Sequence, residues 1–198
     1  VDFMEIIPIF APHLYAISYP ETYDAVWNEE VCSFFNEEEI GNTDEFQRVF
    51  SLWSNPLYLD NFFFDNQDYL SHPYWLNKSF PISDLPKITR EISIKFEKEL
   101  KKNKFIESKF KPLDDNDTKF IELSKAKAKR NWLRLYAIKI SDNRFLITGG
   151  AIKLTYEMKD HKSTSDELKK LEKVKNYLVE LGVIDGDSFD DALYEITL

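Results

Sequence analysis

The run WLRLYAIKISDNRFLITGGAIKLT, residues 132–155, constrains the fold more than any other stretch of this chain. Residues 133–140 are apolar on both faces apart from Arg134 and Lys139, which predicts a central strand covered on two sides. Ser141-Asp142-Asn143 is turn chemistry, and residues 145–148 return as a second strand. Gly149-Gly150 predicts a bulge or a close backbone approach, after which residues 151–155 continue extended. Behind the hairpin, residues 164–181 read as a helix. Thr164 and Glu167 have capping-box spacing, Leu168, Leu171, Val174, Leu178 and Leu181 form its apolar seam, and Gly182 stops it.

Upstream, residues 3–10 and 14–19 look extended and are split by Ala11-Pro12. Residues 42–53 predict a helix with Asn42 as cap, Glu45 at the third position, and Phe46, Val49, Phe50 and Trp53 on one face. Asn55-Pro56 opens a second, aromatic helix reaching about Leu70. Residues 83–102 form a third, with Ile88, Ile92, Phe96 and Leu100 at four-residue steps and lysines crowding its end. Residues 119–123 suit a short strand. Lys125, Lys127 and Lys129 alternate with small residues, so an extended backbone puts all three on one face.

These elements predict an α+β protein: a helical N-terminal half and a small antiparallel sheet closed by a C-terminal helix. The organisation reads as an acidic, aromatic-rich region over residues 1–83, which can supply the first strand and helices of the same domain. A core follows over 84–182, and then an acidic tail over 183–198. One cysteine, Cys32, excludes an internal disulfide and a cysteine-based zinc site. Glu37-Glu38-Glu39 suits a solvated turn. His13 and His72, each beside a proline, have no ligand spacing, and no metal or cofactor is expected. The first residues lack the basic stretch and cleavage site of a signal peptide, and no apolar run reaches the ~18 residues of a membrane span. The expected location is the cytoplasm.

Net charge is −9, unevenly spread. Residues 1–84 hold 2 basic and 15 acidic side chains, residues 85–179 hold 24 and 14, and residues 180–198 hold none and 6. A basic block fenced by acidic ends is either a solvated lysine-rich face or a cationic surface for a polyanion.

The order of elements around this block resembles the RelE/HigB-like toxins of bacterial toxin–antitoxin pairs, in particular their phage-derived branch. The resemblance covers roughly residues 84–179. It is carried by Lys111-Pro112-Leu113, Glu122-Leu123, the Arg134 strand, the turn, the return strand, and Gly150-Ala151-Ile152-Lys153-Leu154-Thr155 before the helix. Ala151 stands where the family places an aromatic residue, Leu154 where it places a second lysine, and no proline follows Thr155. The chain also resembles a group of bacterial proteins of this length that share the runs at 132–138 and 148–155.

The resemblance implies a RelE-like fold and metal-independent RNA cleavage, with the ribosome and its mRNA as targets and a helix-turn-helix antitoxin as partner. Such cleavage needs a base for the 2′-hydroxyl, cations for the phosphorane charge and an acid for the departing 5′-oxygen. On that basis Lys153, Arg134, Tyr156 and His161 are the candidate catalytic residues. Lys125, Lys127, Lys129, Arg130, Lys139 and Lys159 are the candidate RNA contacts. The alternative is a non-catalytic relative of the same fold that serves as a protein-interaction module, in which Lys153 is an exposed strand lysine and Arg134 a structural, carboxylate-paired side chain.

Overall fold

The computed structural model describes residues 4–19, 44–102, 104–114 and 120–196. Cys32, the 37–39 glutamates, the expected cap Asn42 and Lys119 lie outside the described residues. The chain opens with strands β1 (Glu5–Phe10) and β2 (Leu14–Ser18), paired as an antiparallel hairpin. Helices α1 (Glu45–Ser54) and α2 (Pro56–Asp65) follow, then the single turns α3 (Gln67–Leu70) and α4 (Pro73–Leu76), and then α5 (Leu85–Lys102). Strands β3 (Phe110–Pro112), β4 (Lys125–Arg130), β5 (Leu133–Ser141) and β6 (Arg144–Ile152) precede α6 (Lys162–Glu180) and α7 (Gly186–Ile196).

All six strands share one sheet in the order β1-β2-β6-β5-β4-β3. It is mixed rather than antiparallel, because β2 runs parallel to β6, with Leu14 opposite Phe145 and Ala16 opposite Ile147. The fold is thus α+β with strands first, not a helical N-terminal half followed by a small antiparallel sheet. The cause is a pairing between segments about 130 residues apart, which no local pattern encodes.

β5 lies in the middle and is buried on both faces. Leu133, Leu135 and Ala137 pack with Phe46, Val49, Phe50 and Trp53 of α1 and with Phe96 and Leu100 of α5. Ile138 and Ile140 face the other way, onto Leu171, Val174 and Leu178 of α6 and Phe189 of α7. Residues 183–198, expected as an acidic tail, therefore include a core helix: its aspartates face outward while Phe189 and Ala192 are buried. Residues 120–123, within the expected strand 119–123, are not extended in the sheet; 122–123 form a turn with Leu123 in the left-handed region at φ 53°.

Local chemistry explains the helix ends. Asp44 caps α1 by accepting from Gln47 N–H at 3.0 Å, and Asn55 caps α2 with Pro56 at its first turn. The α6 helix ends in a Schellman motif, with Val183 N–H on Leu178 C=O at 2.9 Å and Gly182 N–H on Val179 C=O at 3.0 Å. Gly182 sits at φ 78°, where a side chain is strained.

Candidate functional site

Two features stand out at the end of the sheet where β6 continues past β2. The first is a cleft of about 550 Å³ where the ends of β5 and β6 meet α3 and α4. Arg134 of β5 and Lys153, just past β6, line it together with Tyr156, Thr155 and Asp160. Asp68, Tyr69, His72 and Tyr74 close the other side. Its wall is fixed by tryptophans: Trp75 donates to Leu154 C=O at 3.1 Å and Trp132 donates to Thr89 Oγ1 at 2.8 Å. The two indoles pack edge to face at 5.3 Å. This anchoring holds the β6 end against α4, and with it Lys153.

Within the cleft, the Arg134 guanidinium reaches the carbonyls of Asn131 and Leu133 at 2.7 and 2.9 Å. Tyr156 is 78% exposed and stands edge-on to His72 at 6.0 Å. His72 Nδ1 accepts from Tyr74 N–H at 3.1 Å, capping α4. That acceptor role puts the proton of the neutral ring on Nε2. The cleft therefore combines two cations, two carboxylates and four aromatic rings, a mixture suited to a phosphorylated ligand with a flat ring to stack.

The second feature is a buried quartet of charges joining α1 to α6. Arg48 grips both carboxylate oxygens of Glu45, at 2.6 and 2.7 Å. Lys170 lies 3.4 Å from Glu45 and 3.2 Å from Glu167. Burial alone raises the Glu45 carboxyl, but the adjacent Arg48 and Lys170 outweigh it and hold it below the usual carboxylate range. Glu167 goes the other way: burial, reinforced by the Glu45 charge, outweighs its cations and raises it. Tyr136, buried beneath with Glu167 nearby, is also raised.

This quartet explains the first glycine of the pair, and the packing of α1 on β6 explains the second. The β5–β6 register shifts between Tyr136, opposite Gly149, and Ala137, opposite Ile147, a bulge just before the glycines. At Gly149 an added Cβ would lie 1.8 Å from Glu167 Oε2, and at Gly150 one would lie 2.9 Å from Val49 Cγ1. Both positions are close approaches of a helix to the strand. Glu167 Oε2 itself is buried and finds no hydrogen-bond partner among the described residues.

The sequence-predicted site residues divide. Lys153, Arg134 and Tyr156 meet in the cleft. His161 does not line it; it is 8% exposed and caps α6, its Nδ1 accepting from Ser163 N–H at 3.2 Å. Its Nε2 donates to Asn66 Oδ1 at 2.7 Å, an amide oriented by Nδ2 donating to Phe62 C=O. Both ring nitrogens are thereby engaged.

Among the lysines, Lys125 pairs with Glu172 of α6, and Lys127 donates to Leu113 C=O at 2.8 Å. Lys129 is exposed and sits opposite Arg134 in the β4–β5 register, while Arg130 pairs with Glu99 of α5. Lys139 is 3% exposed, bound to Glu107 at 2.7 Å and Asp142 at 3.2 Å. Lys159 pairs with Glu157 at 2.8 Å. Lys125, Lys127 and Lys129 share one strand face.

In the sequence His72 shows only a proline neighbour, and nothing there marks the quartet as one cluster. Glu45 and Glu167 each carry helix-capping spacing in the sequence. The signal that reveals them is register: Glu167 falls one turn before Leu171 on the buried seam of α6, and Glu45 one turn before Val49 on that of α1. Among the described residues, no helix is long and apolar enough to cross a membrane, and no three His, Cys, Asp or Glu side chains group as a metal site.

The architecture defines a six-stranded mixed α+β sheet with helices on both faces and a mixed-charge aromatic cleft at one end. Comparison of the chain with protein-family models, with curated proteins and with solved structures finds no match.

Proposed function

We propose that this chain is an RNA-cleaving protein of the toxin type, acting by internal attack of the RNA 2′-hydroxyl without a metal. The observation that supports this reading is the convergence of Arg134, Lys153 and Tyr156 in one cleft lined also by Asp160 and His72. In the proposed reaction the 2′-oxygen forms a bond to phosphorus and the bond from phosphorus to the 5′-oxygen breaks. Asp160 takes the 2′-hydroxyl proton. The Arg134 guanidinium offsets charge on the phosphorane, and the Lys153 ammonium hands a proton to the departing 5′-oxygen. His72 donates from Nε2 to a phosphoryl oxygen, and Tyr156 stacks on a base. The products are a 2′,3′-cyclic phosphate and a 5′-hydroxyl.

The test is incubation with translating ribosomes, followed by mapping of mRNA ends. New ends that vanish with Lys153→Ala support the reading. Intact mRNA with the free wild-type protein refutes it.

A second reading, a non-catalytic protein-interaction module, is favoured by the exposed apolar side chains Leu57 and Phe64 on α2. Recovery of one stoichiometric protein partner, without RNA, supports it. On the toxin reading such a partner is the antitoxin, and its binding blocks cleavage.

A further inference from the structure

The candidate cleft is not where positive charge is most concentrated. Lys95, Lys98 and Lys102 recur along the outer side of α5 at spacings of three and four residues, one stripe of the helix. Lys109 faces them from the 3₁₀ turn Ile106–Lys109 across a shallow depression of about 480 Å³. One carboxylate, Glu99, lies in this depression, and it is already shared by Lys109 at 3.6 Å and Arg130 of β4. Among the described residues, Lys95, Lys98 and Lys102 have no ion pair.

This placement runs against the composition. The chain carries 35 acidic and 26 basic side chains, so carboxylates are plentiful. Several lysines elsewhere are paired: Lys101 meets Glu97 at 2.6 Å on the neighbouring flank of the same helix, and Lys125, Lys139 and Lys170 each meet a carboxylate. Four lysines and one carboxylate line the depression, and Arg130 pairs with that carboxylate from β4. Like charges at this spacing repel, and the repulsion is relieved by a ligand that carries several negative charges in a row.

A single phosphate does not match the arrangement. From Lys95 to Lys102 the helix rises by about 10 Å, and Lys109 adds a second rank across the groove. The complement is a chain of regularly spaced anions lying along α5. We propose that this face of α5, with Lys109 and Arg130, binds the phosphodiester backbone of a single-stranded RNA, separately from the cleft at the end of β6. The inference does not rest on cleavage, since an inert protein with this face still binds the strand.

The experiment is fluorescence anisotropy with a labelled single-stranded RNA of about 16 nucleotides, titrated with the full chain over a range of salt concentrations. About four phosphate contacts give a log–log salt slope near −2.8. The double variant Lys98→Glu with Lys102→Glu changes only exposed helix positions, and far-UV circular dichroism checks its folding. Its expected effect is at least a tenfold loss of RNA affinity and a slope reduced by about 1.4. Arg134→Ala with Lys153→Ala is expected to keep most of the affinity even where it abolishes cleavage. Three results overturn the proposal: wild-type affinity and slope in the α5 variant, loss of binding only in the cleft variant, or competition by polyglutamate equal to that by RNA, which assigns the face to an acidic protein.

Discussion

The two buried glutamates of the α1–α6 quartet are chemically alike and are predicted to behave in opposite ways. Glu45→Gln leaves the Arg48 guanidinium buried with a neutral amide where it now holds two carboxylate bonds at 2.6 and 2.7 Å. Breaking a buried pair from one side costs about 3–5 kcal/mol. For a chain of this size that lowers the melting temperature by roughly 6–20 °C. Glu167→Gln keeps the volume and removes a charge that its surroundings disfavour. It is expected to stay within about 1 kcal/mol of wild type at pH 7.

The pH dependence separates them further. The Glu45 pKa is lowered on folding, so its contribution is fully present above about 4.5 and is lost as pH falls through its folded value. The Glu167 pKa is raised, so stability falls as pH rises from about 4.5 through its folded value. The Gln variant at 167 is therefore most favourable relative to wild type at pH 7, and that advantage fades on acidification to pH 4.5. Urea unfolding at pH 7 and pH 4.5 with linear extrapolation measures both effects. Equal costs for the two variants at pH 7, or a pH trend of the opposite sign for Glu167→Gln, would refute the assignment.

Other outcomes follow from the same geometry. Gly149→Ala is expected to destabilise by about 1–3 kcal/mol, and combining it with Glu167→Ala should recover part of that loss in a double-mutant cycle, because the clash is with Glu167 Oε2. Phe189→Ala should cost about 3–5 kcal/mol, measured by thermal melting, since α7 is part of the second core rather than a tail. His161→Asn should retain RNA cleavage while His161→Ala loses about 0.5–2 kcal/mol of stability, because the side chain serves as a helix cap.

Much of the fold was legible where the determinants are local. The hairpin of β5 and β6 follows from two apolar runs and a Ser-Asp-Asn turn, and Asn143 adopts the positive φ of 57° that such a turn favours. Asn55-Pro56 and Gly182 mark helix ends for reasons contained in three or four residues. What was not legible depends on distant partners. The β2–β6 pairing joins the second strand to the last. Lys139 looks like a surface cation in the sequence, yet it is buried, because Glu107 reaches it from 32 residues away. His161 sits in a basic loop and reads as accessible, but Asn66, at the junction of α2 and α3, and Tyr69 of α3 enclose it. The cleft was half visible: Arg134, Lys153 and Tyr156 could be named, whereas His72 and Tyr69 enter from helices whose placement only the tertiary fold provides.

Cleavage of a defined RNA in EDTA, with analysis of the product ends, tests the central claim most directly. The expected products are 5′-hydroxyl and 2′,3′-cyclic phosphate ends with the wild-type chain, lost with Lys153→Ala and with Arg134→Ala, both variants remaining folded. Cleavage that persists undiminished in both variants, or an RNA left whole by the wild-type chain with and without ribosomes, contradicts it.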